Sequence, residues 1–220
     1  MKSKGIAILA DFDGTITEID TNLKLISTFA EEKHEEIREL YNEGKMDLLS
    51  SIRLQYKYIK LTEEEYIDFI LNEINITEGF VEFYKNIKNK NIPFAIVSGG
   101  FENGIKPFLN KYGIYDAEIY ANKFIFNDKD MEVKFYDEKQ KCKYSKEPCG
   151  NCKVKHYENY KKDNEQVIFI GDGWTDRCVA HEADIIFAKE GLLDYCKENN
   201  IDCIPWENFN DIAIKLEHLF

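Results

Sequence analysis

Short runs of apolar residues alternate along the chain with longer stretches in which apolar residues recur every three or four positions. The short runs are bounded by Gly, Asp, Asn or Ser and predict buried strands at Ile6–Ala10 and at residues 92–97, 167–170 and 185–187. The periodic stretches predict helices at residues 79–90, 101–112, 155–162 and 174–181. Alternating strands and helices indicate an α/β fold, a doubly wound, Rossmann-like parallel sheet with helices on both faces. Such sheets bind ligands at the carboxyl ends of their strands, so a site is expected there.

Two stretches depart from this alternation. Residues 20–76 read as helix throughout, and Thr62 and Glu65 form a capping box ahead of an apolar stripe. A helical stretch of this length directly after the first strand predicts a cap inserted over the functional end of the sheet. Residues 120–135 alternate around an Asn-Asp-Lys-Asp turn and predict a β-hairpin flap. The predicted domains are a core of residues 1–17 and 78–220 and a helical cap of residues 18–77.

Composition narrows the class of function. The 220 residues are 44% hydrophobic and 14% aromatic, which is too apolar for a disordered chain. A net charge of −12 disfavours nucleic acid and membrane surfaces as partners, because both attract basic proteins. A small anion remains compatible, since residues 139–156 hold six lysines and one glutamate. No pattern indicates the oligomeric state.

Cellular location is also indicated by the sequence. No apolar run reaches the roughly 18 residues of a membrane span, and the first residues, Met-Lys-Ser-Lys, do not begin a signal peptide. Six unevenly spread cysteines are too few for a secreted disulfide scaffold. The sequence therefore predicts a cytoplasmic protein.

The first predicted strand ends in a pair of carboxylates, Asp11 and Asp13, followed by Gly14 and Thr15. Side chains two residues apart on a strand point to the same side, so the two negative charges repel unless a cation or a shared proton is present. Mg²⁺ fits, because it prefers oxygen ligands and no His or Cys lies nearby. An acidic turn that caps the next helix is the alternative for the pair taken alone.

Three further groups of polar residues follow along the chain. Ser98 and Gly99 follow the second predicted strand, where a hydroxyl and backbone N–H groups at a helix start can bind an anion, although an ordinary strand–helix turn has the same residues. Asp172 and Asp176 follow the third strand, and Asp176 could simply begin a helix. Lys153 lies between these groups and alone is indistinguishable from a solvated lysine. The order of the four groups makes a common site the stronger interpretation.

This order resembles the haloacid dehalogenase superfamily of phosphohydrolases. The four motifs of that family match residues 11–17, residues 98–101, Lys153 and residues 171–176. The resemblance covers almost the whole chain, including the helical cap after the first motif and the hairpin after the second.

The resemblance implies a mechanism and a metal. Asp11 is expected to attack phosphorus and form an aspartyl-phosphate, and Asp13 to act as general acid and then as general base. Mg²⁺ is expected to bind the side chains of Asp11 and Asp172 and the backbone carbonyl of Asp13.

The remaining matched residues are expected to bind or orient. Ser98, the Gly99 backbone and Lys153 would hold the phosphate oxygens of a small phosphate ester. Thr15 and Asp176 are expected to hold the contacting residues in position without touching the substrate, Asp176 by orienting Lys153 or the waters of the metal.

The substrate is narrowed by finer resemblances. The position of the cap in the chain is similar to that in the phosphoserine phosphatase-like branch of the family. In that branch an acidic residue binds the amine of the substrate, and Asp20 occupies the matching position here. Arg53 is the candidate for binding the carboxylate of the substrate. Thr175 replaces the Asn that is usual in that branch. The cysteines before Lys153 are more similar to the methionine-salvage phosphatases of 2-hydroxy-3-keto-5-methylthiopentenyl-1-phosphate and to phosphoethanolamine/phosphocholine phosphatases. The salvage group is the favoured interpretation, with phosphoserine and phosphoethanolamine/phosphocholine phosphatases as alternatives.

Cys142, Cys149 and Cys152 allow three interpretations. They could form a compact loop of free thiols, which the sequence favours, or a structural zinc site with His156 as the nearest fourth ligand, or a redox pair.

A signalling receiver-like domain is the alternative from another functional class. Such domains also combine acidic residues, a hydroxyl and a lysine on a doubly wound sheet. The paired carboxylates on the first strand and the helical cap disfavour it.

Overall fold

A computed structural model of the protein describes residues 5–217. Its strands are β1 (Ile6–Ala10), β2 (Phe94–Phe101), β3 (Glu118–Asn127), β4 (Asp130–Lys134), β5 (Gln166–Gly171), β6 (Ile185–Ala188) and β7 (Ile204–Pro205). They form one sheet in the order β4-β3-β2-β1-β5-β6-β7, parallel except for the antiparallel pair β3–β4. The predicted α/β fold with a parallel sheet is confirmed. The prediction about residues 1–4 concerns positions outside the described residues.

Strand β1 shows why both faces of the sheet are covered. Ile8 and Ala10 belong to one buried apolar cluster, and Ala7 and Leu9 belong to a second. Successive side chains of a strand point to opposite faces, so the continuous apolar run of β1 supplies a core on each side.

The helices are α1 (Thr21–Phe29), α2 (Glu31–Asn42), α3 (Leu48–Lys57), α4 (Glu63–Glu73), α5 (Phe80–Asn89), α6 (Glu102–Lys111), α7 (Lys153–Lys161), α8 (Arg177–Ala180), α9 (Glu190–Glu198) and α10 (Phe209–Leu216), with a short 3-10 helix at Trp174–Asp176. The stretch predicted as helix throughout is four helices, α1 to α4, separated by turns. The predicted capping box at Thr62 and Glu65 begins α4. In residues 5–217, none of the helices combines the length and apolar character needed to cross a membrane.

The segment that carries α1 to α4 leaves and rejoins the sheet region at adjacent points. Thr17 and Ile76 form an antiparallel bridge, and the N–H of Glu18 donates to the carbonyl of Asn75 at 3.1 Å. The hydroxyl of Thr77 donates to the carbonyl of Thr15 at 2.8 Å, which joins the returning chain to the loop after β1. The two ends of the segment are therefore fixed side by side. We refer to these paired residues as the neck.

Strand β2 differs from the prediction at its carboxyl end. It was expected to end at residue 97, but it continues to Phe101 with an irregular register against β3. Val97 pairs with Tyr120 and Phe101 with Asn122, so residues 98–100 lie opposite the single residue Ala121. The Gly-Gly sequence permits this bulge, because residues without Cβ adopt conformations outside the regular strand at low cost. We refer to residues 98–100 as the β2 bulge.

Candidate active site

The loop after β1 brings its carboxylates to the end of β5. Asp11 and Asp13 are both buried, and the chain turns at Gly14, whose φ of 79° is in the left-handed region that favours glycine. A Cβ atom at Gly14 would collide with the carboxylate of Asp172. The hydroxyl of Thr15 secures this approach by donating a 2.5 Å hydrogen bond to Oδ1 of Asp172.

Lys153, the first residue of α7, is a buried cation held by two carboxylates. Its Nζ lies 2.8 Å from Oδ2 of Asp11 and 2.5 Å from Oδ1 of Asp176. Two backbone N–H groups just after β5 donate to the other oxygen of Asp176 at 3.1 Å each. Burial disfavours the charged amine, but Asp11 and Asp176 outweigh this and raise the pKa of Lys153. The lysine therefore stays charged.

Asp13 has an environment of a different kind, made of hydroxyl groups. Thr21 donates to its Oδ1, and Ser98 donates to its Oδ2 at 2.8 Å. Burial, and after it the negative charge of Asp20, raise the pKa of Asp13 to about 6 against the opposing effect of the two hydroxyl donors. A carboxyl group with this pKa can both donate and accept a proton near neutral pH.

The β2 bulge lies beside Asp13. The N–H of Gly100 donates to the hydroxyl oxygen of Ser98 at 2.8 Å, and a Cβ atom at Gly100 would collide with the Asp13 carboxylate. Gly99 is exposed, and a Cβ atom built on it would have no neighbour within 4 Å. The bulge thus combines a close backbone approach to Asp13 with open space at Gly99, which is the shape that an anion-binding loop requires.

Three carboxylates form the single group in residues 5–217 whose ligand atoms are close enough to share a metal ion. One oxygen each of Asp11, Asp172 and Asp176 lies within 4.8 Å of the others. Burial raises the pKa of Asp11 well above its usual value, although Lys153 opposes the shift. Burial and the Asp176 charge raise the pKa of Asp172 to about 7. Lys153 and Lys189 oppose this shift at Asp172, but two lysines do not balance three carboxylates, and a divalent cation would.

Asp20 and Arg53, predicted to contact the substrate, have different surroundings. Asp20 is the N-cap of α1, because its Oδ1 accepts from the N–H groups of Asn22 and Leu23 at 2.8 and 2.9 Å. Arg53 lies on α3, where Nη2 is 2.6 Å from Oε1 of Glu138. Its guanidinium also stacks near a phenylalanine ring that follows β4. Within the described residues, the contacts of Arg53 are with this segment and not with the buried aspartates.

An aromatic wall, formed by Tyr56, Tyr66, Phe101 and Phe124, joins α3 and α4 to the sheet near Asp13. The ring centroids of Tyr56 lie 4.9 Å from those of Phe101 and Phe124, and Tyr66 lies 5.3 Å from Phe124. Burial raises the pKa of both tyrosines, and the Asp13 carboxylate adds to the shift, so both hydroxyls lie within its electrostatic range. Sequence reasoning missed this wall. Tyr66 belongs to the predicted apolar stripe, but nothing local shows what it faces.

The cysteine cluster lies behind Lys153. Cys142 and Cys152 are buried in the second apolar cluster, with Cys149 and Cys178 packed against it as free thiols. The Cys152 thiol acts as a hydrogen-bond donor that lowers the pKa of Cys149. His156, the suggested fourth zinc ligand, instead contacts the side chain of Asn151. The zinc site stays a prediction, and metal analysis of purified protein would test it.

Comparison with known proteins agrees with this geometry. A model of the family described as haloacid dehalogenase-like hydrolases matches residues 8–181. A protein of Lysinibacillus sphaericus (strain C3-41), named 2-hydroxy-3-keto-5-methylthiopentenyl-1-phosphate phosphatase, is 31% identical over 207 residues, 93% of this chain and 90% of the relative. A protein of the same name from Bacillus mycoides (strain KBAB4) is 31% identical over 216 residues, 97% of each chain.

Solved structures show the same fold. A substrate-bound phosphoserine phosphatase has a TM-score of 0.69 and 26% identity, and the match covers 98% of this chain and 99% of the other. A phospho-aspartyl intermediate analogue of phosphoserine phosphatase has a TM-score of 0.67 and 26% identity, over 97% and 99% of the two chains.

Proposed function

The chain belongs to the haloacid dehalogenase-like hydrolases and is a phosphoric monoester hydrolase, and we propose that it hydrolyses 2-hydroxy-3-keto-5-methylthiopentenyl-1-phosphate or a close analogue, with Mg²⁺ and a phosphorylated aspartate. The observation that carries the chemistry is the direct contact of the Asp11 carboxylate with Lys153 beside Asp172, at the adjacent ends of β1 and β5. We also propose that the enzyme acts in the cytoplasm, where its free thiols stay reduced.

The residues present fit a magnesium ion. Asp11 and Asp172 would supply carboxylate oxygens from a buried cluster, where burial first and then neighbouring carboxylates raise their pKa values. The Asp13 carbonyl would supply a third oxygen. Asp176 is the poorer ligand, because its oxygens already accept from Lys153 and two backbone N–H groups. When bound, Mg²⁺ polarises a phosphate oxygen and neutralises negative charge.

The chain's own residues carry the transfer. An Asp11 oxygen forms a bond to phosphorus while the bond to the leaving oxygen breaks, and protonated Asp13 gives its proton to that oxygen. In the second half, the Asp13 carboxylate takes a proton from water, which attacks phosphorus and releases phosphate and free Asp11. Lys153 and the Gly99 N–H group hold the phosphate oxygens through both halves, and the Ser98 hydroxyl joins them when its hydrogen turns from Asp13 to the phosphate.

The inserted segment, residues 18–77, is proposed to be the cap that selects the substrate. The chain has three arginines, and Arg53 is occupied by Glu138, Arg38 pairs with Glu35, and Arg177 stacks on Trp174. The carboxylate of phosphoserine would therefore need a cation other than these three arginines. The rings of the aromatic wall are buried against one another, and this apolar lining near Asp13 would suit an uncharged tail such as a methylthio group, because sulfur contacts aromatic rings favourably.

One observation favours a second candidate. Asp20 lies within electrostatic range both of Asp13 and of the Tyr56 hydroxyl in the aromatic wall. A carboxylate with aromatic rings also suits an ammonium group, so a phosphoethanolamine or phosphocholine phosphatase is the alternative.

A panel of phosphate esters tests the proposal. Purified protein with Mg²⁺ is assayed for phosphate release from the methylthiopentenyl ester, phosphoserine, phosphoethanolamine and phosphocholine. We expect the highest kcat/KM for the methylthiopentenyl ester and no need for an acceptor other than water. A preference for phosphoserine would contradict the substrate assignment, and release that requires a second acceptor would contradict the hydrolytic mechanism.

A further inference from the structure

The β2 bulge leaves two backbone carbonyls outside the regular ladder. Both are bound by asparagine amides. Nδ2 of Asn151 donates to the carbonyl of Ser98 at 2.8 Å, and Nδ2 of Asn122 donates to the carbonyl of Gly99 at 2.7 Å. Asn122 and Asn151 are 2% and 4% exposed. Buried carbonyls without partners are costly, so these two amides stabilise the bulge in one conformation.

The two amides also determine where the bulge N–H groups point. No peptide bond in the described chain is cis, and in a trans peptide unit the C=O and N–H bonds point in opposite directions. Because the Ser98 carbonyl faces Asn151, the N–H of Gly99 in the same peptide unit faces away from Asn151. Because the Gly99 carbonyl faces Asn122, the next N–H faces away as well, and it reaches the Ser98 hydroxyl that binds Asp13.

Asn151 is itself oriented by its neighbours. Its Nδ2 donates a second hydrogen bond to the carbonyl of Tyr120 at 2.9 Å, so both amide hydrogens are used on carbonyls. Its Oδ1 lies 2.7 Å from Nε2 of His156, and since this oxygen can only accept, Nε2 of His156 must carry the hydrogen. A reversed amide would place Oδ1 against two carbonyls.

His156 is held in turn by the surrounding rings. Its ring centroid lies 4.4 Å from that of Tyr120 and 5.2 Å from that of Tyr136. Tyr136 also connects the two asparagines, because its N–H donates to Oδ1 of Asn122 at 2.9 Å. Burial lowers the pKa of His156 to about 4, so the ring is neutral near pH 7. Both amides are therefore fixed at each end.

We propose that Asn122 and Asn151, the latter oriented by His156, are positioning residues that aim the Gly99 N–H group at the phosphate of the substrate. The proposal explains the Asn151 that separates the two cysteines before Lys153, which the mechanism otherwise does not use. It rests on the proposed phosphate site at the β2 bulge and not on the identity of the substrate.

The test measures phosphate binding and turnover separately. Asn151→Ala and Asn122→Ala are compared with the unchanged protein for the dissociation constant of inorganic phosphate, followed by the amide NMR signal of Gly99, and for kcat/KM with p-nitrophenyl phosphate. A displacement of about 1 Å costs about 100-fold, so we expect kcat/KM to fall by about 10- to 100-fold. The Gly99 signal should lose its response to phosphate.

Two further variants serve as controls. His156→Phe keeps a ring between the two tyrosines but removes the donor to Asn151, and it should show a smaller loss in the same direction. Asn164→Ala removes an amide that donates to the Tyr160 carbonyl at 2.8 Å elsewhere on the chain, and it should behave as the unchanged protein. If one asparagine variant does not fold, the other asparagine variant and His156→Phe still test whether the two amides position the Gly99 N–H group.

The outcomes separate this inference from the proposed function. Folded Asn151→Ala and Asn122→Ala that bind phosphate and turn over p-nitrophenyl phosphate within about twofold of the unchanged protein would overturn the positioning role. An unchanged protein that binds phosphate at Gly99 but prefers another ester would overturn only the substrate assignment.

Discussion

The Nζ atom of Lys153 lies 2.8 Å from Oδ2 of Asp11, so the proposed nucleophile is paired with a cation inside the protein. Asp176 holds the same Nζ at 2.5 Å from its other side. The lysine is thus fixed between the proposed nucleophile and a residue to which the proposal gives no covalent role. In the proposed mechanism, Lys153 binds the phosphate oxygens while it stays paired with Asp176, and Asp11 becomes free to attack.

Asp11→Asn should lower kcat by roughly 10³-fold or more, because an amide cannot form the bond to phosphorus. The matched control is Asp194→Asn, which changes a carboxylate that is 74% exposed on α9. Phosphate release and circular dichroism are measured for both. Normal turnover by a folded Asp11→Asn protein is the result that contradicts the mechanism.

Lys153→Met should lower the free energy of unfolding by about 3–5 kcal/mol, because it leaves two buried carboxylates without their cation. Lys155→Met is the control two residues along α7, where an exposed lysine pairs with Glu158. Denaturant unfolding at neutral pH compares the two variants. Equal effects would mean that the Lys153 ion pairs contribute no more than a surface contact.

Asp20→Asn should move the alkaline limb of the kcat/KM profile to lower pH. In the proposed mechanism Asp13 is protonated for the first half of the reaction, so kcat/KM should fall as pH rises through its pKa, which is about 6 in the unchanged protein. Removing the Asp20 charge lowers this pKa, while Asn still caps α1.

Thr21→Val should move the same limb to higher pH, because the Thr21 hydroxyl lowers the Asp13 pKa by donating to the charged form. Comparing the variants on one ester cancels the ionisation of the substrate itself. Shifts of the two limbs in the same direction would show that Asp13 is not the group responsible.

Mg²⁺ should raise Tm more at mildly alkaline than at acidic pH. Burial raises the folded pKa of Asp172 from 3.8 to about 7, so without metal the folded state binds more protons than the unfolded state between these values. Stability is therefore lost as pH rises through that window. The metal favours the ionised carboxylates, and at 100 times its Kd it adds about 2.7 kcal/mol. Asp172→Asn should abolish the difference, and a Tm that Mg²⁺ leaves unchanged at every pH would argue against the site.

Much of the site could be placed from sequence because strand ends are local signals. Asp11, Ser98 and Asp172 each follow an apolar run, and β2, β1 and β5 are neighbours in the sheet. The pairing of parallel strands then brings these residues to one edge, as the order of motifs indicates.

Other parts of the site depend on contacts between distant segments. Asn22 and Tyr56 are hydrogen-bonded at 2.9 Å across two helices, and Asn122 reaches the Gly99 carbonyl from another strand. No local pattern shows such contacts. The orientation of the Arg53 side chain could not be predicted from the sequence either, because it depends on Glu138, which lies 85 positions further along the chain. The irregular end of β2 escaped prediction because Ser-Gly-Gly is typical of a turn as well as of a bulge.

The neck has a consequence for how such enzymes diversify. Since Thr17 and Ile76 are bridged, the distance that the intervening segment must span does not depend on its length. Doubling the length of a flexible segment between fixed ends costs only about 0.6 kcal/mol. A segment of another size or fold can therefore be grafted here, provided that it keeps Asp20 and Thr21, which, besides burial, shift the pKa of Asp13. With those two residues kept, the rest of the segment proposed to select the substrate becomes exchangeable, which makes the neck the natural crossover region for chimeric phosphatases.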